Sequence, residues 1–142
     1  MTARAQSDML ALTEALYRAD SARMQALLAE EARLRSDLNQ IADMRRAARE
    51  MPDGHLSEYR AAGADLLWQG WIGQSKARIH AELARVLGRK GQVSRELRRS
   101  FGKYHAAAQI AAEQARRTAQ RREAIRFGQL DSIAQLQRMR SD

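Results

Sequence analysis

The chain has 142 residues, a formal net charge of +8 at pH 7, one proline and no cysteine. The absence of cysteine excludes disulfides, thiolate catalysis and the usual Cys-containing zinc sites, and the scarcity of turn and β-branched residues argues against a β-sandwich or a parallel-sheet fold. Ala (27), Arg (22), Leu (15), Glu (9) and Lys (3) together make up just over half of the chain, the composition of long helices and coiled coils when a heptad-like period accompanies it.

The first eight residues hold no apolar run, and no stretch of ~18 apolar residues occurs anywhere, so the chain reads as soluble and cytoplasmic. Nothing breaks a helix from Thr2 to Met51, and the pattern predicts a first helix over about 3–50. Met24, Leu27, Leu34, Leu38 and Ile41 alternate steps of three and four once Glu31 is counted as a polar member, which is a two-helix packing stripe. Met9, Leu12 and Leu16 continue it upstream only with an extra turn near Asp20, so a stutter and a local unwinding are predicted there.

The segment Glu50-Met51-Pro52-Asp53-Gly54-His55 is the strong break. Proline disfavours the helical conformation at Met51 and Asp-Gly supplies turn chemistry, so a turn is predicted at about 51–56. Ser57 can cap a second helix over about 57–139, although Arg60 stands where a capping box has Glu or Gln. Gly63, Gly70 and Gly73 soften its beginning and offer Asp65 as a later start.

Beyond Gly73, Ile72, Ile79, Val86 and Val93 recur every seven residues, with Leu83, Leu97, Phe101 and Tyr104 on an adjacent line. The stripe then turns mostly to alanine, Ala108, Ala111, Ala115 and Ala119, before Ile125, Leu130, Ile133 and Leu136. Charge divides with the elements. Residues 1–70 carry 9 basic and 11 acidic side chains, whereas residues 71–142 carry 16 and 6. Such a field attracts nucleic acid, anionic lipid or an acidic protein surface without choosing among them.

Two long helices and one short connection predict an all-α fold, an antiparallel coiled-coil hairpin of a single domain spanning 1–142, with the second helix the longer. If residue 50 lies opposite about residue 66, opposed numbers add to about 116. The first helix then ends near residue 112 of the second, which runs on the order of 100 Å at ~1.5 Å per residue. The overhang of 25 to 30 residues on this register contains Arg116, Arg117, Arg121, Arg122 and Arg126. A two-helix hairpin encloses no dry pocket.

No phosphate loop, nucleophile elbow or paired His-Glu helix motif is present, and His55, His80 and His105 never fall at i, i+3 or i+4. The expectation is a non-enzyme with no cofactor, no metal and no small-molecule substrate. Gly88-Arg89-Lys90-Gly91 lies mid-helix with no preceding strand, so its glycines are read as allowing a bend or a close approach rather than a phosphate. The patch Leu66-Leu67-Trp68-Gln69-Gly70-Trp71-Ile72 is the most informative feature. Trp68, Ile72, Ser75 and Ile79 share a helical face with Trp71 beside it, and the tryptophans serve either as a cap on the seam or as an exposed anchor. The Arg pairs at 98/99, 116/117 and 121/122 are read as a solvated basic face. Aromatic interleaving is too sparse for base stacking, and the opposite line is too alanine-rich for a membrane surface.

An unbroken first helix, a short break with Gly54 and Ser57, the Leu66–Ile72 patch leading into a longer basic helix with Ile79 and Leu83, Arg121-Arg122-Glu123-Ala124, and a closing Leu130-Asp131-Ser132-Ile133-Ala134 together resemble the FliJ/YscO family. These are stalk proteins of flagellar and virulence type III export machinery. The resemblance covers nearly the whole chain, through loose motifs. It implies a coiled-coil hairpin similar to the central stalk of rotary ATPases, cytoplasmic and peripheral to the inner membrane through the export complex alone. Its paired ends would enter the export ATPase ring and promote assembly and activity, with Arg116, Arg117, Arg121, Arg122 and Arg126 at that end. It further implies that the second helix contacts the cytoplasmic domain of the export gate. Trp68 then takes the family's aromatic position, Ile72 the aliphatic one and Ser75 the small one, with Ile79 on the next turn. Export chaperones are implied as further partners. The chain departs from the family in having Trp where Phe or Tyr is usual and in its three early glycines, which leave Trp71 as an alternative anchor. Two other classes compete: a basic helical hairpin that binds nucleic acid, and a self-associating coiled-coil scaffold.

Overall fold

In a computed structural model the chain is all-α. Helix α1 spans Ala3–Glu50 and α2 spans Glu58–Ser141, paired as an antiparallel helical hairpin in which α2 is the longer. The structure describes residues 1–50 and 58–142, with the side chains of α2 from residue 63 onward. The expected turn at about 51–56, with its Pro52 break, and the Ser57 cap lie outside the described residues. Helix α2 runs from Glu58 through Gly63, Gly70 and Gly73, so the later start at Asp65 is not adopted. Propagation gains only a few tenths of a kcal/mol per residue, so the roughly 1 kcal/mol that each glycine costs relative to Ala is offset by packing, through Trp68 and Ile72 on the core shared with α1. At the other end Thr2 Oγ1 accepts the Ala5 N–H at 3.1 Å and caps α1. The hairpin divides into two units, Ala19–Leu97 and Met1–Arg18 with Arg98–Asp142.

In the Ala19–Leu97 unit, Leu27, Leu34 and Ile41 of α1 pack with Ile72, Ile79, Leu83, Val86 and Val93 of α2, flanked by Met24, Leu38 and Trp68. The seven-residue spacing of both sets keeps them on facing stripes, as a left-handed helix pair requires. Two ion pairs fix the register, Arg23–Glu96 at 2.6 Å and Lys90–Glu31 at 2.9 Å, whose residue numbers add to 119 and 121. The expected value of about 116 is therefore corrected to about 120. Leu34 meets Val86 and Ile41 meets Ile79 at that register, and it aligns the apolar layers that a shift of four residues breaks.

Glu31 is the polar member of the stripe that its spacing indicated. Its side chain is only 12% exposed and accepts hydrogen bonds from Lys90 at 2.9 Å and from Arg35 at 2.9 Å. Those two hydrogen bonds, Lys90 first, hold its carboxyl below the usual glutamate range against the opposing effect of desolvation. The expectation that Gly88 and Gly91 admit a closely approaching partner finds no counterpart within the chain, because an added Cβ at either position meets nothing within 4 Å.

The Met1–Arg18 and Arg98–Asp142 unit has a thinner seam. Gln6, Leu10, Thr13 and Tyr17 are half-buried on α1, opposite Ser100, Tyr104, Ala107, Ala111 and Gln114 on α2. Leu12 and Leu16 are 62% and 50% exposed, so they do not continue the stripe and no stutter is needed. Along α1 the shielded positions advance by alternate fours and threes through Gln6, Leu10, Thr13, Tyr17, Asp20 and Met24, so polar residues take seam places that the leucines were expected to fill. In the alanine section Ala107, Ala108 and Ala111 are shielded, while Ala115 and Ala119 are exposed but line the same groove as Ala111. Ala3 and Gln6 share a groove with Gln114, Thr118 and Ala119. Helix α1 thus reaches the level of residue 118 rather than 112, and the part of α2 without an α1 neighbour is shorter than the sequence register implied.

Candidate functional site

Ile72, Ser75 and Ile79 are 4%, 8% and 6% exposed, buried where α2 meets α1. Trp68 is half-buried against the same core. The remainder of the patch faces outward, with Leu66, Leu67 and Trp71 at 71%, 79% and 52% exposure. Leu67 and Trp71 stand four apart on one side of α2 and present a contiguous apolar face. Of the residues singled out in the sequence, the structure brings Ile72, Ser75 and Ile79 together as seam and leaves Trp71 exposed. Leu66 and Leu67 are exposed too, and their place off the seam was legible once the seam was known.

In the other unit, Arg116, Arg117, Arg121, Arg122 and Arg126 are all exposed. Arg116 and Arg117 pair with Glu113 at 3.1 and 3.3 Å, beside the start of α1. Arg122 borders the groove that Ala3 lines. At about 100° per residue the five arginines are distributed around the helix rather than along one side. The large apolar residues beyond them behave in the same way. Ile125, Phe127, Leu130, Ile133, Leu136 and Met139 are between 52% and 77% exposed and also spread around most of the helix. A helix that is both apolar and cationic around most of its circumference has no single docking side; it is suited to a partner that surrounds it.

A third feature comes from pairing across the seam. The Tyr17 ring stacks on Tyr104 with centroids 5.6 Å apart and lies 5.5 Å from Phe101, which stacks in turn on His105 at 5.9 Å. Phe101 and His105 are exposed, next in sequence to Arg98, Arg99 and Lys103. The sequence placed Phe101 and Tyr104 on the line adjacent to the seam but named no aromatic partner for them across it. Tyr17 is 84 positions from Phe101, so only the register could bring them together.

Among the described residues no group of three His, Asp or Glu side chains is placed to hold a metal ion, and no helix is long and apolar enough to cross a membrane. Neither a protein-family model, a curated protein nor a solved structure matches the chain.

Proposed function

We propose that the protein is a non-enzymatic stalk of a bacterial protein-export apparatus, of the kind that its resemblance to the FliJ/YscO family implies, acting between an export ATPase ring and the cytoplasmic domain of the export gate. The observation that carries this reading is the character of α2 beyond residue 118: six exposed large apolar side chains spread around most of one helix, with Arg121, Arg122 and Arg126 among them. Such a helix is stable and useful inside an encircling partner, where acidic loops meet the arginines and apolar walls cover the rest. The exposed Leu66, Leu67 and Trp71 give the hairpin a separate contact, and the reading assigns the gate to it. Export chaperones are further partners on this reading.

The decisive experiment mixes the purified chain with the ATPase of its own export system and follows ring assembly and turnover. Stimulation is expected. It should be lost when Ile125, Ile133 and Leu136 are changed together to Ser, and retained on Trp71→Ala, which should instead abolish capture of the gate domain. No stimulation by the unaltered chain refutes the proposal.

A nucleic-acid reading has one observation of its own, the stacked Phe101–His105 pair beside three cations. It requires retention of single-stranded nucleic acid at low salt and a steep loss as salt rises; Phe101→Ala should then weaken binding at every salt concentration.

A further inference from the structure

The Ala19–Leu97 unit holds a groove that seam packing does not account for. One seam layer of the hairpin places Lys90 against the Glu31 carboxylate at 2.9 Å. About four turns farther on, beyond the Leu38 and Leu83 layer, the same register sets Arg45 opposite Lys76, so a cation faces a cation. Arg45, Arg46 and Arg49 of α1 and Lys76 and His80 of α2 line an open groove of about 450 Å³ with Ile41 in its floor. Lys76 is half-buried. Arg46 has an exposed pairing with Asp43 at 3.6 Å. Among the described residues, no ion pair or hydrogen bond ties Arg45, Arg49, Lys76 or His80 to a carboxylate.

Like charges facing each other beside an apolar floor repel, and an anion between them relieves the repulsion. The geometry also says what kind of anion. Arg45 and Arg49 are four apart on one helix, and Lys76 and His80 are four apart on the other. Because the helices are antiparallel, Arg49 lies one turn to one side of the Arg45–Lys76 level and His80 one turn to the other, so the four side chains occupy three successive levels of the groove. A single monovalent ion answers one of these positions. A ligand with several phosphate groups answers more than one level, with the guanidinium forks gripping phosphate oxygens in pairs. The volume lies within the range of small-ligand sites, and the groove is open on its outer side, so a headgroup tethered in a lipid surface also has access.

We infer that this groove is a binding site for a multiply phosphorylated ligand, with Arg45 and Lys76 clasping one phosphate group and Arg49 and His80 meeting further groups on either side of it. The site uses none of the residues Leu66, Leu67 and Trp71 that the stalk reading assigns to the gate, nor the arginines it assigns to the ring, so its test is independent of that reading.

The test titrates the full chain, by calorimetry, with inorganic tripolyphosphate, inositol hexakisphosphate and phosphoinositide vesicles. Saturable binding of one tripolyphosphate per chain is expected. Binding of the inositol phosphate and the vesicles in preference to tripolyphosphate also supports the site and assigns it to a headgroup. Arg45→Gln with Lys76→Gln should lower the affinity about tenfold or more, as loss of charge-assisted hydrogen bonds does. Arg121→Gln with Arg122→Gln removes the same charge elsewhere and should change it less than about twofold. Tripolyphosphate should raise the melting temperature of the unaltered chain and of the Arg121/Arg122 variant but not that of the groove variant, because only a ligand of the folded state stabilises it. No saturable binding of any of the three probes, or equal losses in the two variants, overturns the inference.

Discussion

Leu34→Ala separates the observed seam from the one that the apolar pattern alone suggests. Leu34 is 1% exposed and sits at the level of Val86, itself 2% exposed, in the middle of the Ala19–Leu97 core. Truncation withdraws three carbon atoms from that layer, about 2.4 kcal/mol at roughly 0.8 kcal/mol per methylene. A cavity term usually adds to this, but a layer only two helices thick has solvent close on both sides and relaxes easily. The total should therefore fall near the lower end of the roughly 2.7–5.0 kcal/mol range for buried leucines. Leu12→Ala and Leu16→Ala change side chains that are 62% and 50% exposed, and each should cost no more than about 0.5 kcal/mol. Urea unfolding followed by far-UV circular dichroism gives all three numbers on one scale. If Leu12→Ala or Leu16→Ala destabilises as much as Leu34→Ala, the upstream seam runs through those leucines and the register argument fails.

Four further outcomes follow from the same geometry. Because Lys90 and Arg35 depress the Glu31 pKa in the folded state, its contribution is present above the ordinary glutamate range and is lost as pH falls through the lower native value. The melting-temperature gap between the unaltered chain and Glu31→Gln should accordingly be widest near neutrality and close on acidification. Gly91→Ala should raise stability by up to about 1 kcal/mol, since the added methyl meets nothing and helix propensity improves; chemical denaturation reads this directly. A double-mutant cycle of Tyr17→Leu and Tyr104→Leu should return a coupling of about 0.5–1.5 kcal/mol for their stacked rings. Ile72→Ala should cost about 2–5 kcal/mol, whereas Trp71→Ala should leave the melting temperature nearly unchanged while removing gate capture.

Much of the fold was legible because a helical seam is written in a single repeating interval. Leu27, Leu34 and Ile41, and Ile72, Ile79, Val86 and Val93, are apolar at steps of seven, and all are buried. The same logic misled where large apolar residues stand off the seam. Leu12 and Leu16 are stronger hydrophobes than Thr13 or Asp20, so composition drew the line through them, although continuation of the four-three stepping passes through Thr13, Tyr17 and Asp20. Register was beyond the sequence for a different reason. It depends on which ion pairs and apolar layers meet across the hairpin, and the expected turn supplied only a loose estimate. The aromatic cluster of Tyr17 with Phe101 and the cationic groove of Arg45 with Lys76 are both consequences of register, and neither showed in the linear pattern. The arginine pairs that stood out in the sequence were adjacent residues, which a helix points in different directions. The cations that the fold gathers are spaced at four.

Burial also constrains how the tryptophan patch can be used. A partner that reads Ile72 and Ile79 directly has to separate α2 from α1, because both side chains are almost fully enclosed. Exposing two isoleucines costs about 1.5–3 kcal/mol each, so roughly 3–6 kcal/mol is forfeited before any new contact forms. Helix propensity does not recover this, since the loss falls in side-chain burial rather than in backbone hydrogen bonds. A partner that reads Leu66, Leu67 and Trp71 meets no such penalty, because those groups already face outward on an intact helix. The hairpin therefore favours rigid docking on the outer face, with Ile72, Ser75 and Ile79 holding that face in position from behind. On this argument Ile79→Ala should weaken gate capture only in proportion to its loss of stability and recover it at lower temperature, whereas Trp71→Ala should not recover at any temperature at which the chain is folded. Pull-down of the gate domain across a temperature series separates the two, and parallel recovery of both variants would show that the inner face makes contact after all.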